Sequence, residues 1–356
     1  MTEQPYIVSA RKYRPRRFDE VVGQGAITKT LENAIEKNQL AQALLFTGPR
    51  GVGKTTCARI LAKRINQTEG QEYPDEDFAF NIFELDAASN NSVDDIRNLI
   101  DQVRIPPQVG KYKVYIIDEV HMLSQSAFNA FLKTLEEPPP HAIFILATTE
   151  KHKIIPTILS RCQIYDFRRI EVKDIKDYLK KIAEKEGIEA DDDALLLIAR
   201  KADGALRDAL SLFDRLASSG NGKLTGTSVA EDLHILDFDT YHEMTEYILR
   251  NNITEILLAL DKLVKKGFDL HHFINGLASH FRDLLLAKDK QSLALIEAGD
   301  NTRKKYAEQA TETPVAFLMK ALDIATHCDL QYKASYNPRL LVELSLMQMA
   351  SLNQNG

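Results

Sequence analysis

The stretch Gly48-Pro49-Arg50-Gly51-Val52-Gly53-Lys54-Thr55 spaces glycines, a lysine and a hydroxyl in the pattern GxxxxGK[ST]. The chemistry that this spacing allows is phosphate binding. Gly48, Gly51 and Gly53 let backbone N–H groups turn inward around a polyphosphate, Lys54 reaches its β- and γ-phosphates, and Thr55 offers a hydroxyl to Mg²⁺. Further on, Val114-Tyr115-Ile116-Ile117 runs straight into Asp118-Glu119. Asp118 suits the Mg²⁺ shell, and Glu119 suits orienting and polarising an attacking water, because phosphoryl transfer is catalysed mainly by positioning and charge stabilisation. Thr148-Thr149 closes another apolar run, where a hydroxyl could reach that water or the γ-phosphate. Arg161 and Arg207 carry the delocalised, permanent charge suited to a phosphate in its transition state, although each taken singly reads more readily as an ordinary surface or ion-paired arginine.

These residues need a scaffold that brings strand ends together. The first half of the chain alternates short β-branched apolar runs with helical patterns, the signature of a parallel sheet covered by helices. Strands are predicted over 43–47, 82–86, 113–118, 142–147 and 163–167. The first leads into the glycine-rich loop, and a helix over 56–65 follows with its positive N-terminal end facing the phosphates. Ser92-Val93-Asp94-Asp95 reads as a capping box, followed by Ile96, Leu99, Ile100 and Val103 on one face and stopped by Pro106-Pro107. Ser124 likewise precedes a stripe of Phe128, Phe131, Leu132 and Leu135, stopped by Pro138-Pro139-Pro140; that stripe is core. After Ile170 the strand pattern ends. Helices are predicted over 172–186, 191–202 and 205–217, then over 241–250, 254–266 and 270–287.

The expected organisation is an α/β P-loop domain with a five-stranded parallel sheet over 1–170, a helical lid over 171–225 and an all-helical domain over 226–356. A length of 356 residues, beyond the size at which one core usually keeps growing, agrees with several domains. With 44% hydrophobic and 27% charged residues the composition is that of a globular protein, and no stretch approaches the ~20 apolar residues of a membrane span. The N-terminus has no signal-peptide character, which points to the cytoplasm. Cys57, Cys162 and Cys328 lie far apart without a CxxC pair, so they read as free structural thiols. A net charge of −6 argues against wholesale coating of nucleic acid, while the basic run Arg11-Lys12-Tyr13-Arg14-Pro15-Arg16-Arg17 fits a nucleotide pocket at least as well as DNA. The acidic segment 68–77 reads as a surface loop.

The combination of segments resembles the gamma/tau subunits of bacterial DNA polymerase III, the clamp-loader ATPases of the AAA+ class. The resemblance is carried by Ala10-Arg11-Lys12-Tyr13-Arg14-Pro15, Val21-Val22-Gly23-Gln24, the glycine-rich loop, Glu84-Leu85-Asp86-Ala87-Ala88-Ser89 and Ile117-Asp118-Glu119-Val120-His121-Met122-Leu123-Ser124. It continues through Asn129-Ala130-Phe131-Leu132-Lys133-Thr134-Leu135-Glu136-Glu137-Pro138-Pro139, Leu159-Ser160-Arg161-Cys162 and Gly204-Ala205-Leu206-Arg207-Asp208-Ala209-Leu210. It implies ATP and Mg²⁺ as the bound groups. It further implies Thr149 as sensor 1, Arg161 as an arginine finger acting on the neighbouring subunit's ATP, and Arg207 as sensor 2 acting on its own. Arg14, Pro15 and Val22 match the segment that wraps the adenine, and Thr56 follows the loop hydroxyl at the phosphates. The implied partners are delta- and delta-prime-type subunits and copies of the chain itself in a ring, a sliding clamp and primer-template DNA; no membrane is implied.

Two departures stand out. Members of the family usually carry four zinc-binding cysteines before the Asp-Ala-Ala-Ser segment, whereas the interval from Asn66 to Asn81 has none. No structural zinc is therefore expected, and His121, His271 and His272 offer no compensating spacing and read as structural. Nothing after the helical region resembles the long extension of the tau form, so the expectation is a gamma-like or shortened chain. Arg104 and the Asn90-Asn91-Ser92 turn are candidates for DNA backbone contact. The competing classes are a nucleotide-binding scaffold without turnover, which the intact Lys54, Thr55, Asp118, Glu119 and Arg161 disfavour, and a branch-migration helicase, which calls for duplex-tracking elements on the lid.

Overall fold

The computed structural model describes residues 7–352 except 68–79 and the single positions 109, 221, 234, 235, 237, 290, 297 and 299. The acidic segment 68–77 thus lies outside the described residues. The chain divides into two compact units, Met1–Glu186 with Ile198–Ser218, and Gly187–Leu197 with Ser219–Gly356.

The first unit is built on strands β1 (Ala43–Thr47), β2 (Ile82–Asp86), β3 (Lys113–Asp118), β4 (Ala142–Thr148) and β5 (Gln163–Asp166). They form one sheet in the order β2-β3-β4-β1-β5, every pairing parallel. β1 and β4 are buried along their whole length, which is why they read as unbroken apolar runs without alternation. The predicted strand limits hold to within a residue: β4 extends to Thr148 and β5 stops at Asp166. One face packs Leu45, Tyr115, Ile117 and Phe144 under Ile96, Phe128 and Phe131. The other packs Leu44, Phe46, Val114 and Ile116 under Leu31, Cys57 and Leu61. The register pairs Thr47 with Thr148 and Asp86 with Asp118, so the C-terminal ends of β1, β3 and β4 lie side by side.

Local signals place the covering helices. Ser92 Oγ accepts from Asp95 N at 3.2 Å while Asp95 returns a bond to Ser92 N, so the capping box forms and starts the helix Val93–Val103. That cap uses the Ser92 hydroxyl that was a candidate for DNA contact, and Arg104 sits exposed beside Asp101 at 3.8 Å. Ser124 caps Gln125–Glu136 through Ala127 N.

The second unit corrects one expectation. β6 (Glu189–Ala190) and β7 (Lys223–Leu224) pair in parallel, so strands do not stop at Ile170. Two residues are too few to show a period of two, which hides such strands in the sequence. Beyond them the helices Phe238–Leu249, Ile253–Lys265, Leu270–Leu286, Asp300–Glu312, Val315–Tyr332 and Pro338–Ser351 surround a core containing Phe273, Leu277, Phe281, Leu318 and Leu346.

Candidate functional site

The loop Gly48–Gly53 joins the end of β1 to the helix Lys54–Asn66. Gly48 has φ +142°, and a Cβ there would meet the Phe167 carbonyl oxygen at 2.3 Å, so no other residue fits. Gly51 has φ +75°, and a Cβ would press on Ala205 Cβ at 2.9 Å; its bareness lets residues 205–207 close over the loop. Lys54 is 6% exposed, and its Nζ donates to the Gly48 and Pro49 carbonyls at 2.7 Å each. Burial holds its ammonium below the usual lysine range, against the pull of the Glu119 and Asp118 carboxylates.

Thr55 Oγ1 donates to Asp118 Oδ2 at 2.7 Å, tying the loop to the end of β3. Asp118 Oδ1 accepts from Glu119 N at 3.0 Å. Glu119 itself is left-handed at φ +46°, a conformation that a non-glycine residue seldom adopts and that turns the chain abruptly out of β3. Its Oε2 accepts from Thr149 N at 3.1 Å and Thr149 Oγ1 at 2.9 Å. The predicted Thr149 hydroxyl therefore engages the carboxylate that would handle water.

His121 lies against the same cluster. Its ring is 3.4 Å from Glu119 Oε2, 3.0 Å from Glu150 Oε2 and 2.9 Å from Thr148 Oγ1, and its side chain is 6% exposed. His121, structural by its spacing in the sequence, is held by these contacts; its position three residues after Asp118 is the local signal for them.

A cavity of about 720 Å³ opens between these groups and the segment before β1. Gly51, Gly53, Lys54, Thr55, Thr56, Asp118 and Glu119 line one side; Arg14, Pro15, Val22 and Arg207 line the others. Arg14 Nε donates to Thr56 Oγ1 at 3.4 Å. Several lining residues belong to the segments that carry the resemblance but have no site role of their own in the sequence, among them Arg50, Asp86, Leu206 and Leu210. Leu206 and Leu210 adjoin Arg207 on its own helical turn, so the pattern around Arg207 carried that signal. Gln24, 4% exposed, donates to the Arg168 carbonyl at 2.7 Å and fixes the Val21-Val22 wall against the segment that leaves β5. The N-terminal wall is held too: Tyr178 Oη donates to the Tyr13 carbonyl at 3.0 Å, Tyr13 Oη donates to Glu186, and Ser9 N donates to Asp214 at 2.6 Å.

Arg161 is not among the cavity's lining residues. Its guanidinium, one-third exposed, pairs with Glu136 at 2.7 Å. Of the candidate nucleotide-site residues the structure thus gathers all but Arg161 at one site, with Gly48 and Thr149 outside the lining itself; the DNA-contact candidates Arg104 and Asn90-Asn91-Ser92 do not line it. Of the thiols, burial pushes Cys57 up to about 12 and Cys162 up to about 11, so neither is a nucleophile near neutrality. The oxygen pair at Thr55 and Asp118 suits a hard cation of the Mg²⁺ type, which prefers a few carboxylate and hydroxyl oxygens beside phosphate.

Three family models match in succession: "DNA polymerase III, delta subunit" over residues 23–171, "DNA polymerase III clamp loader subunit, ATPase lid domain" over 174–222, and "DNA polymerase III subunits gamma and tau domain III" over 224–355. DNA polymerase III subunit tau of Bacillus subtilis is 40% identical over 363 aligned residues, covering 97% of this chain and 63% of the relative. The chain belongs to the DNA polymerase III gamma/tau family of clamp-loader subunits. The tau subunit of Escherichia coli is 41% identical over 276 residues, 74% of this chain and 43% of that protein. The chain therefore spans less than two-thirds of the length of these gamma/tau relatives. Among solved structures, the RuvB Holliday junction branch migration motor of Thermotoga maritima superposes with a TM-score of 0.50 at 21% identity, over 70% of this chain and 85% of that one. At that identity the likeness shows the AAA+ fold alone. Among the described residues no helix is long and apolar enough to cross a membrane.

Proposed function

We propose that this chain is an ATP-hydrolysing subunit of a bacterial replicative clamp loader, using ATP binding and hydrolysis to place a sliding clamp on primed DNA. The observation that carries the reading is the completeness of one cavity: Lys54, Thr55 paired to Asp118, Glu119 braced by Thr149, and Arg207 all converge on it. A scaffold without turnover has no need of that set. The RuvB likeness lends no support to a helicase beyond the shared fold.

In this reading Lys54 leaves the Gly48 and Pro49 carbonyls to meet the β- and γ-phosphates, and Arg14, Pro15 and Val22 enclose the adenine. Thr55 and Asp118 would hold Mg²⁺, which supplies charge neutralisation on the phosphates. Glu119 orients and polarises the water, with Thr149 fixing its carboxylate, and Arg207 senses the phosphate from the lid. Arg161, outside its own cavity, serves the ATP of the next subunit. Three matched segments in succession support the division into a nucleotide domain over 1–170, a lid over 171–225 and a helical domain over 226–356. Val315, Met319, Leu340 and Leu344 lie about half exposed at i,i+4 spacing on Val315–Tyr332 and Pro338–Ser351, an apolar face that suits packing against copies of the chain and delta- and delta-prime-type partners in a ring. The proposed location is the cytoplasm.

The test is Glu119→Gln in the reconstituted complex. ATP binding should persist while clamp- and DNA-stimulated hydrolysis falls by about 100-fold or more. Wild-type turnover in that variant would remove Glu119 from the reaction and with it the reading of the site.

A further inference from the structure

The segment Leu135-Glu136-Glu137-Pro138-Pro139 marks the family, yet the site described so far leaves its carboxylates without a task. Glu136 is the last residue of the helix Gln125–Glu136, whose final turns are pinned by buried Phe131 and Leu135 and stopped by the prolines. Its Oε1 accepts from Arg161 Nη2 at 2.7 Å. On the other side of the same guanidinium, Nη1 donates to the Thr157 carbonyl at 2.7 Å and lies 3.3 Å from Ser160 Oγ. Two elements distant in sequence therefore grip one planar group and leave it N–H donors over for a phosphate.

Such a grip does little for the fold. The side chains are 33% and 46% exposed, and ion pairs in that setting contribute little to stability. Its effect is on freedom: an arginine side chain has many rotamers, and a fork held in one plane loses less entropy when it meets an oxyanion.

We infer that Glu136 is a positioning residue for Arg161, holding its guanidinium ready at the surface for the phosphate of a neighbouring copy's nucleotide. The inference rests on the proposed trans role of Arg161. The carboxylate balances the arginine's charge between encounters and sets the plane in which it is presented; it touches no nucleotide itself.

Mixed complexes separate this from a structural role. Lys54→Ala chains keep the finger but lack their own site, whereas Arg161→Ala chains keep the site but lack the finger, so turnover in the mixture reports fingers of the first kind acting on sites of the second. Adding Glu136→Ala to the Lys54→Ala chain should lower kcat by about tenfold, the scale of a misplaced catalytic contact, with KM for ATP unchanged. The same substitution added to the Arg161→Ala chain, whose finger is already gone, should cost nothing further. Glu136→Gln, which keeps the acceptor and the length, should recover most of the loss. Equal losses in both placements would make Glu136 a structural residue and overturn the inference. A reference mixture without turnover would instead overturn the trans role of Arg161, and the inference would fall with it.

Discussion

Lys54 in the first unit and His280 in the second are buried to a similar degree, 6% and 1% exposed, and their surroundings treat them in opposite ways. Lys54 donates to two loop carbonyls at the cavity, partners that a triphosphate can replace. His280 has partners that nothing replaces: Nε2 meets Gln309 Oε1 at 3.0 Å, Nδ1 lies 3.3 Å from Tyr306 Oη, and Gln309 passes its own N–H to the His242 carbonyl at 3.0 Å. Burial holds the His280 imidazole down at about 3, against the pull of Gln309, so it stays neutral. A buried polar group facing a cavity is provision for a ligand, whereas one closed within side chains specifies the packing.

That contrast is sharpest if each residue fails in its own way. Lys54→Ala should weaken ATP binding by about 100-fold, since one partner of a buried charged contact is removed, yet leave the unfolding midpoint without nucleotide near that of the parent. Isothermal titration and thermal melts read the two quantities; a collapse of the apo fold would erase the distinction. Leu277→Ala, at a fully buried site of the second unit, should do the reverse and cost about 2–5 kcal/mol with ATP affinity intact.

His280 also makes its own contribution to the pH dependence of stability. The folded state binds its proton only near 3, whereas the unfolded chain binds it near 6.5, so acidification favours unfolding throughout that interval. Stability should be fully present above about 6.5 and fall by up to about 1.4 kcal/mol per pH unit below it. Denaturant titrations of His280→Gln should show a shallower decline; an unchanged slope would assign the acid sensitivity elsewhere. Ser92→Ala removes a cap in the first unit without touching the cavity, and a loss of about 1 kcal/mol with unaltered nucleotide binding is the expected outcome.

Much of the first unit was legible because its strands are sheathed on both faces. Such strands must be apolar throughout, which makes β1, β3 and β4 visible as short runs bounded by polar residues. The loop Gly48–Thr55 was legible for a different reason, since only glycine satisfies its close approach to Phe167. The pair β6 and β7 escaped because two-residue strands owe their existence to contacts and not to composition. The contact of His121 with Glu119 was not legible because a histidine near a carboxylate in sequence has no fixed direction in space. Arg161 was visible as a charge but not as a held group, since Glu136 reaches it from 25 positions away.

The amino-acid order alone determined the phosphate loop, the strand that ends in Asp118 and Glu119, the helix caps and the family, because each depends on short-range chemistry: backbone freedom at glycine, hydroxyls at helix starts, apolar runs in buried strands. The tertiary structure decided which of those charges share a cavity and which face outward. The parallel sheet sets β1, β3 and β4 side by side in one register, the left-handed turn at Glu119 aims its carboxylate at Thr149, and the Glu136 helix end meets Arg161 away from the loop. Directions of this kind arise from packing between distant segments, and no local pattern encodes them.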